Sequence, residues 1–181
     1  MLKTDLSKYN NTWYNPGASI IKRTIWLFMN AFIFKTSLIP ISRIKVSLLK
    51  AFGATIGKGV EIKPCVNIKY PWYLTIGDFT WIGENVWIDN LTSTKIGANV
   101  CISQGAMLLT GNHNYKTTTF DLIVSGIVIE DGAWIGAQTV VCPGVTIGTH
   151  AVLSVGSIAN KNLLPYTIYQ GVPAIKIRNR E

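Results

Sequence analysis

His113 stands in the stretch "LLTGNHNY", between Asn112 and Asn114, and is one of only two histidines in the chain. A neutral imidazole, whose ordinary pKa is about 6.5, suits the removal of a proton from an alcohol near pH 7. The second histidine, His150 in "IGTHAV", lies inside an unbroken repeat at an outward position and reads as part of the scaffold. With one histidine so placed, too few remain for a three-histidine zinc site, and no metal is expected. Cys65, Cys101 and Cys142 are odd in number and lack C-x-x-C spacing, which fits reduced thiols in a cytoplasm rather than a disulfide framework. Neither a G-x-x-x-x-G-K-[ST] loop nor a G-x-G-x-x-G turn is present, and no serine elbow accompanies the histidines. Any transfer reaction should therefore be direct, without a covalent enzyme intermediate.

The residues around His113 interrupt a period of six. Ile56, Ile62 and Ile68 open it, Ile76, Ile82 and Ile88 continue it, and Ile96, Ile102 and Leu108 follow. After a gap it resumes at Ile129, Ile135, Val141, Ile147 and Leu153. Four residues after these positions a small or β-branched residue recurs, as at Val60, Val86, Ala106, Ala133 and Ala151. Six fits neither a 3.6-residue helix nor two-residue alternation. It fits a solenoid of short parallel strands that turns a corner every six residues, three hexapeptides to a triangular coil. The dipeptide Ile-Gly at residues 56, 76 and 96 marks successive coils of eighteen residues plus two. The fold class is therefore an all-β solenoid, a parallel β-helix of hexapeptide repeats over residues 56–160.

Three segments fall outside the repeat. Residues 109–128 form a loop longer than a compact domain usually carries without a use for it. Residues 161–181 read as a C-terminal tail. Residues 1–55 form an N-terminal extension, with two helices expected over residues 18–52. The second, "SRIKVSLLKAF", places Ile44, Leu48, Leu49 and Phe52 on one side and Arg43, Lys45 and Lys50 elsewhere. The formal net charge of +8 belongs to residues 1–58, where nine Lys or Arg face only Asp5. A solenoid end needs a cover, which is one role for this extension. Its basic and aromatic residues, with Trp26, Phe28, Phe32 and Phe34 as outward candidates, also suit peripheral contact with the inner face of a membrane. The apolar run Thr24 to Phe34 is too short to span a bilayer, and the opening residues lack the apolar core of a secretory signal. A cytoplasmic location follows as an expectation, and no nucleic acid partner is expected.

The stretches "FGATIGKGVEIKP", "YPWYLTIGD", "IGENVWIDN", "CISQGAMLLTGNHNY", "IVIEDGAWIGA" and "KNLLPYTIYQGVPAIKI" resemble those of the hexapeptide-repeat acyltransferases. Within that family the chain is similar to the colanic-acid-biosynthesis acetyltransferases over roughly residues 50–178. The resemblance implies a left-handed β-helix, a homotrimer and acetyl-CoA as acyl donor. It further implies O-acetylation of a sugar or glycan, whether free, nucleotide-linked or lipid-linked, during exopolysaccharide or capsule assembly. His113 matches the family's catalytic histidine, the general base. Asn85 and Asp89 match positions that hold the acceptor or orient the imidazole, and Asp89 equally suits a solenoid corner. Asn112 either positions acceptor hydroxyls or caps the loop, and Trp134 packs toward the acceptor or the pantetheine arm. For the cofactor, Gly136 and Ala137 leave room for pantetheine, while Ser154, Val155 and Asn160 match the channel lining. Asn160 replaces a threonine common in relatives. Lys161 and Arg178 match positions that meet the nucleotide phosphates, or are solvated surface charges. Two other readings remain open at this level: a small-molecule acceptor such as an antibiotic or serine, and a β-helix scaffold without activity.

Overall fold

A strand of two or three residues cannot stand alone, and here each is held by neighbours one coil above and below. The computed structural model describes residues 3–181. Three parallel sheets form the faces of a triangular solenoid. The first face stacks Thr55–Ile56, Leu74–Ile76, Thr94–Ile96, Ile127–Ile129 and Thr146–Ile147. The second stacks Glu61–Ile62, Trp81–Ile82, Cys101–Ile102, Trp134–Ile135 and Val152–Leu153. The third stacks Asn67–Ile68, Trp87–Asp89, Met107–Leu109, Val140–Val141 and Ile158–Ala159. The register aligns like with like: on the second face Ile62 pairs with Ile82, Ile82 with Ile102, Ile102 with Ile135, and Ile135 with Leu153. These five side chains are fully or almost fully buried, so the six-residue period is the core itself. Burying each contributes on the order of 1.5–3 kcal/mol.

The corners need backbone with positive φ. Between the second and third faces this falls on Cys65, Asn85, Gly105, Gln138 and Gly156, with φ from 54° to 67°. Asparagine tolerates this left-handed conformation better than most side chains.

Both ends of the solenoid are closed. Residues 161–181, expected as a tail, instead extend the second face: Thr167–Gly171 pairs in parallel with Val152–Leu153 and in antiparallel with Ala174–Asn179. The antiparallel return brings Arg180 back to donate to the carbonyls of Gly132 and His150. At the other end lie helix α1 (Ile20–Met29), a π-helical turn (Asn30–Phe34) and helix α2 (Ser42–Ala51). Ser19 caps α1 by accepting from the Lys22 amide. Trp26, Phe34 and Leu49 are buried against the first coil, and Trp26 Nε1 donates to the Ile68 carbonyl.

Three expectations are corrected at this end. Trp26 and Phe34 point inward and cover the coil, whereas Phe28 and Phe32 do face outward. Lys45 is wholly buried, and its ammonium donates to the Lys63 carbonyl. Burial pushes its pKa below the ordinary lysine value. Ile44, expected on the covered side, is exposed. The α2 face that meets the coil must satisfy carbonyls at the open end as well as bury apolar surface, and Lys45 serves the first need.

Candidate active site

The long loop leaves the corner between the third and first faces. It is a hairpin, Gly111–His113 pairing in antiparallel with Leu122–Val124, so His113 lies opposite Leu122. The return of the chain places the Phe120 carbonyl 3.0 Å from His113 Nδ1 and stacks the Phe120 ring on the imidazole, centroids 4.5 Å apart and 6° from parallel. A carbonyl can only accept, so Nδ1 carries the proton and Nε2 is left as an acceptor. The imidazole is thereby fixed in both orientation and tautomer.

His113 lines a cavity of about 680 Å³. Its other walls include Asn112, Asp89, Lys69, Tyr70 and Arg23, together with Tyr9, Asn11 and Tyr14 from the N-terminal segment. That segment is tied down along its length. The Asp5 amide donates to the Thr118 carbonyl at the hairpin tip. Tyr14 OH donates to the Leu91 carbonyl, and Trp72 Nε1 donates to the Pro16 carbonyl. Burial, reinforced by Tyr70, Tyr73 and Asp89, raises the Tyr14 pKa well above the ordinary phenol value, so the hydroxyl stays neutral.

A second cavity of about 480 Å³ adjoins the first, sharing Arg23, Lys69, Tyr70 and Asp89 and lined beyond them by Trp26, Leu27 and Trp87. Asp89 stands between the two, its side chain only 19% exposed, with Lys69 Nζ 3.1 Å from Oδ1 as an ion pair. Among the described residues no hydrogen bond of good geometry reaches Asp89 Oδ1 or the buried Nε of Arg23. Both groups stand at the wall that the two cavities share.

The remaining sequence-assigned residues do not line these cavities within one chain. Asn85 occupies the corner between the second and third faces, exposed, with its amide 3.4 Å from the Pro64 carbonyl. Trp134 projects from the second face toward that corner, its Nε1 donating to Ser103 Oγ. Gly136, Ala137, Ser154 and Val155 lie at the same corner, one coil apart. Asn160 and Lys161 lie at the corner from which the His113 hairpin emerges, after the last third-face strand, and are exposed. Arg178 is exposed on the last strand of the second face, opposite Ile168.

Gly136 serves the stacking of coils before it serves any ligand. The glycine is buried, and a Cβ there would meet Leu153 O at 2.6 Å and Val155 N at 2.7 Å, so coil stacking already demands it. Gly83 faces the next coil in the same way. Gly136→Ala is expected to force the two coils apart and to destabilise the protein by about 1–3 kcal/mol. Chemical denaturation checks this, and a change within about 0.5 kcal/mol would mean that the stack yields freely. Val155, by contrast, is 67% exposed, and a Cβ at Gly156 would touch nothing, so this corner is open to a partner molecule.

Tyr9, Tyr14, Arg23, Lys69 and Tyr70 were not singled out from the sequence. A signal existed for Lys69: it precedes Asp89 by one twenty-residue coil, which places the two side by side. Nothing comparable marks Arg23 or the tyrosines of the N-terminal segment, because they reach the site through the packing of the cap.

Comparisons with known proteins agree with this architecture. No family model matches the chain. It is 39% identical over 176 residues, 97% of each chain, to the protein of Escherichia coli (strain K12) named for colanic acid biosynthesis acetyltransferase activity, WcaF. A hexapeptide-repeat-containing acetyltransferase from Vibrio cholerae, solved with acetyl-coenzyme A, superposes with a TM-score of 0.81 at 26% identity, covering 91% of this chain and 92% of that one. A galactoside acetyltransferase solved with coenzyme A gives 0.77 at 27% identity, over 89% and 82% of the two chains. The solenoid matches the left-handed β-helix of these enzymes.

Proposed function

The chain belongs to the hexapeptide-repeat acetyltransferases, acetyl-CoA-dependent enzymes, and from that premise we propose that it acetylates a sugar hydroxyl in exopolysaccharide or capsule biosynthesis. The observation that carries the mechanism is the His113 Nδ1–H bond to the Phe120 carbonyl, which keeps Nε2 free on a side chain that lines the cavity. Nε2 takes the proton of the acceptor hydroxyl as its oxygen attacks the thioester carbonyl of acetyl-CoA. The tetrahedral intermediate collapses, the C–S bond breaks, and the imidazolium returns the proton to the leaving thiolate. No covalent enzyme intermediate is needed.

Support for a carbohydrate acceptor comes from the wall shared by the two cavities. Asp89, Arg23 and Lys69 present charged groups there beside Tyr70, with Tyr14 in the His113 cavity and Trp87 in the adjoining one, a mixture that suits the hydroxyls and the apolar face of a sugar ring. The named activities of two relatives, one toward colanic acid biosynthesis and one toward galactosides, point the same way. Asp89→Asn is expected to raise the acceptor KM about tenfold or more while leaving the acetyl-CoA KM unchanged, because the loss falls on the acceptor's hydrogen bonds. Initial rates with each substrate varied in turn would show it, and equal effects on both constants would take Asp89 out of the acceptor site.

The active enzyme in this reading is a homotrimer. His113 leaves one corner of the solenoid, whereas Gly136, Ala137, Ser154 and Val155 sit at another, across the width of the third face. Few residues are needed to cross that face, but at ~3.3 Å each they still separate the base from the channel by on the order of 15 Å. A neighbouring subunit closes the gap by setting its channel corner against the His113 hairpin, where Asn160 and Lys161 form the facing wall. Lys161, and Arg178 on the last strand of the second face, then offer cations to the phosphates of CoA. The three free cysteines suit a cytoplasmic setting, and among the described residues no helix is long and apolar enough to cross a membrane. The direct test is CoA release from acetyl-CoA across a panel of mono- and oligosaccharides, with mass analysis of the products. Absence of acetylated sugar from every acceptor, alongside turnover of a small non-sugar alcohol, would replace the carbohydrate assignment.

A further inference from the structure

Helix α1 and the turn that follows it are apolar on two sides. The inward side, Trp26, Met29, Ile33 and Phe34, packs on the first coil. On the other side Ile21, Ile25, Phe28 and Phe32 recur at spacings of four, three and four, a second stripe along one helical face. They are 70%, 47%, 53% and 70% exposed, and the rings of Phe28 and Phe32 stack on each other with centroids 6.4 Å apart. Ile20, Leu38 and Ile41 of the same cap are exposed as well. At on the order of 100 Å² for each of the four side chains, the stripe matches the largest apolar patches that monomeric soluble proteins leave open, which are often functional. A helix that only covers a solenoid end needs one apolar face.

The charges of the cap segment are of one sign. Residues 18–52 contain six Lys or Arg and no acid. Four of the six are placed elsewhere: Lys45 is buried, Arg23 lines the His113 cavity, Lys35 lines the adjoining one, and Lys22 lies over the Trp72 ring. Arg43 and Lys50 remain exposed. From these observations we infer that the cap docks on an anionic lipid surface, with Ile21, Ile25, Phe28 and Phe32 entering the interface and Arg43 and Lys50 meeting the headgroups. The occupant is a bilayer because the patch combines an exposed apolar stripe, uncompensated cations and a helix too short to cross. In a trimer of parallel solenoids all three caps lie at the same end, so three weak contacts act together on one plane. The docking does not depend on which acceptor is acetylated.

The test is sedimentation of the full-length protein with vesicles of phosphatidylcholine alone or with about a third phosphatidylglycerol. The native protein should pellet with the anionic vesicles at low salt and be released at about 0.5 M salt, where exposed charges are screened. Phe28→Ser/Phe32→Ser should lower partitioning by about tenfold or more, since each apolar group withdrawn from the interface weakens it. Arg43→Gln/Lys50→Gln should abolish the preference for anionic over neutral vesicles. Unchanged melting curves establish that both variants fold, and CoA release with a soluble sugar should match the native enzyme, which separates docking from acetyl transfer. Native protein that stays in the supernatant at low salt overturns the inference. So does a Phe28→Ser/Phe32→Ser variant that binds vesicles normally but changes its oligomeric state, because the stripe is then a contact between copies of the chain.

Discussion

Replacing His113 with alanine is expected to lower kcat about 10²–10⁴-fold, the range typical for loss of a general base. The Asp89 carboxylate also lines the cavity, but it is ion-paired with Lys69 and assigned to holding the acceptor. Lys69 is paired with Asp89, and the Tyr14 hydroxyl already donates to the Leu91 carbonyl. The acetyl-CoA KM should hardly move, because the imidazole is assigned to the acceptor's hydroxyl and not to the cofactor. The fold should also survive: His113 belongs to a hairpin outside the solenoid core, where its loss removes one hydrogen bond and one ring stack. Single-turnover measurements with saturating acetyl-CoA isolate the chemical step from product release. His150→Ala is the control. That ring stacks on Tyr166 with centroids 5.0 Å apart, at the corner between the first and second faces and not at the corner that carries the hairpin, and its loss should leave turnover unchanged. Activity of the His113 variant within a few-fold of the native enzyme would remove the base from the mechanism.

Mixed trimers provide the second large effect. His113→Ala removes the base, while Val155→Trp fills the open channel corner, and each homotrimer should be nearly inactive. If each site takes its base from one subunit and its channel from the next, random mixing leaves about one quarter of sites with both parts intact. Co-refolded or co-expressed subunits should then recover on the order of a quarter of native activity, far above either parent. A site complete within one chain would give no gain over the sum of the parents. Val155 suits this purpose because it is exposed, so a larger side chain there blocks a channel without disturbing the core.

The exposed stripe on the cap shows how far one-dimensional reading reaches. Residues 18–52 do form helices, and their basic, aromatic composition is plain in the sequence. Yet Trp26 and Phe34, which read as outward candidates, are the residues that cover the first coil. A helix that is apolar on two sides does not announce which side meets its neighbour. Lys45 misleads for a related reason. Lysine is rarely buried, but the open end of a solenoid offers unpaired carbonyls, and an ammonium can satisfy one.

What the sequence by itself determined is the solenoid. Ile62, Ile82, Ile102, Ile135 and Leu153 fall into one buried ladder because the same six-residue interval sets both the chain pattern and the stacking of coils. The interruption at residues 109–128 likewise marked where His113 leaves the scaffold, since a break in a strict period is visible without coordinates. The cavity was decided only by the tertiary structure. Arg23, Tyr9 and Tyr14 come from a segment with no repeat, and they reach His113 and Asp89 through contacts that span tens of residues. The tautomer of His113 depends on a carbonyl seven residues away, placed by the hairpin's return. Periodic contacts repeat one local rule, so they are legible in a single chain. A site assembled from aperiodic segments depends on how those segments close on one another, and side-chain packing in three dimensions settles that.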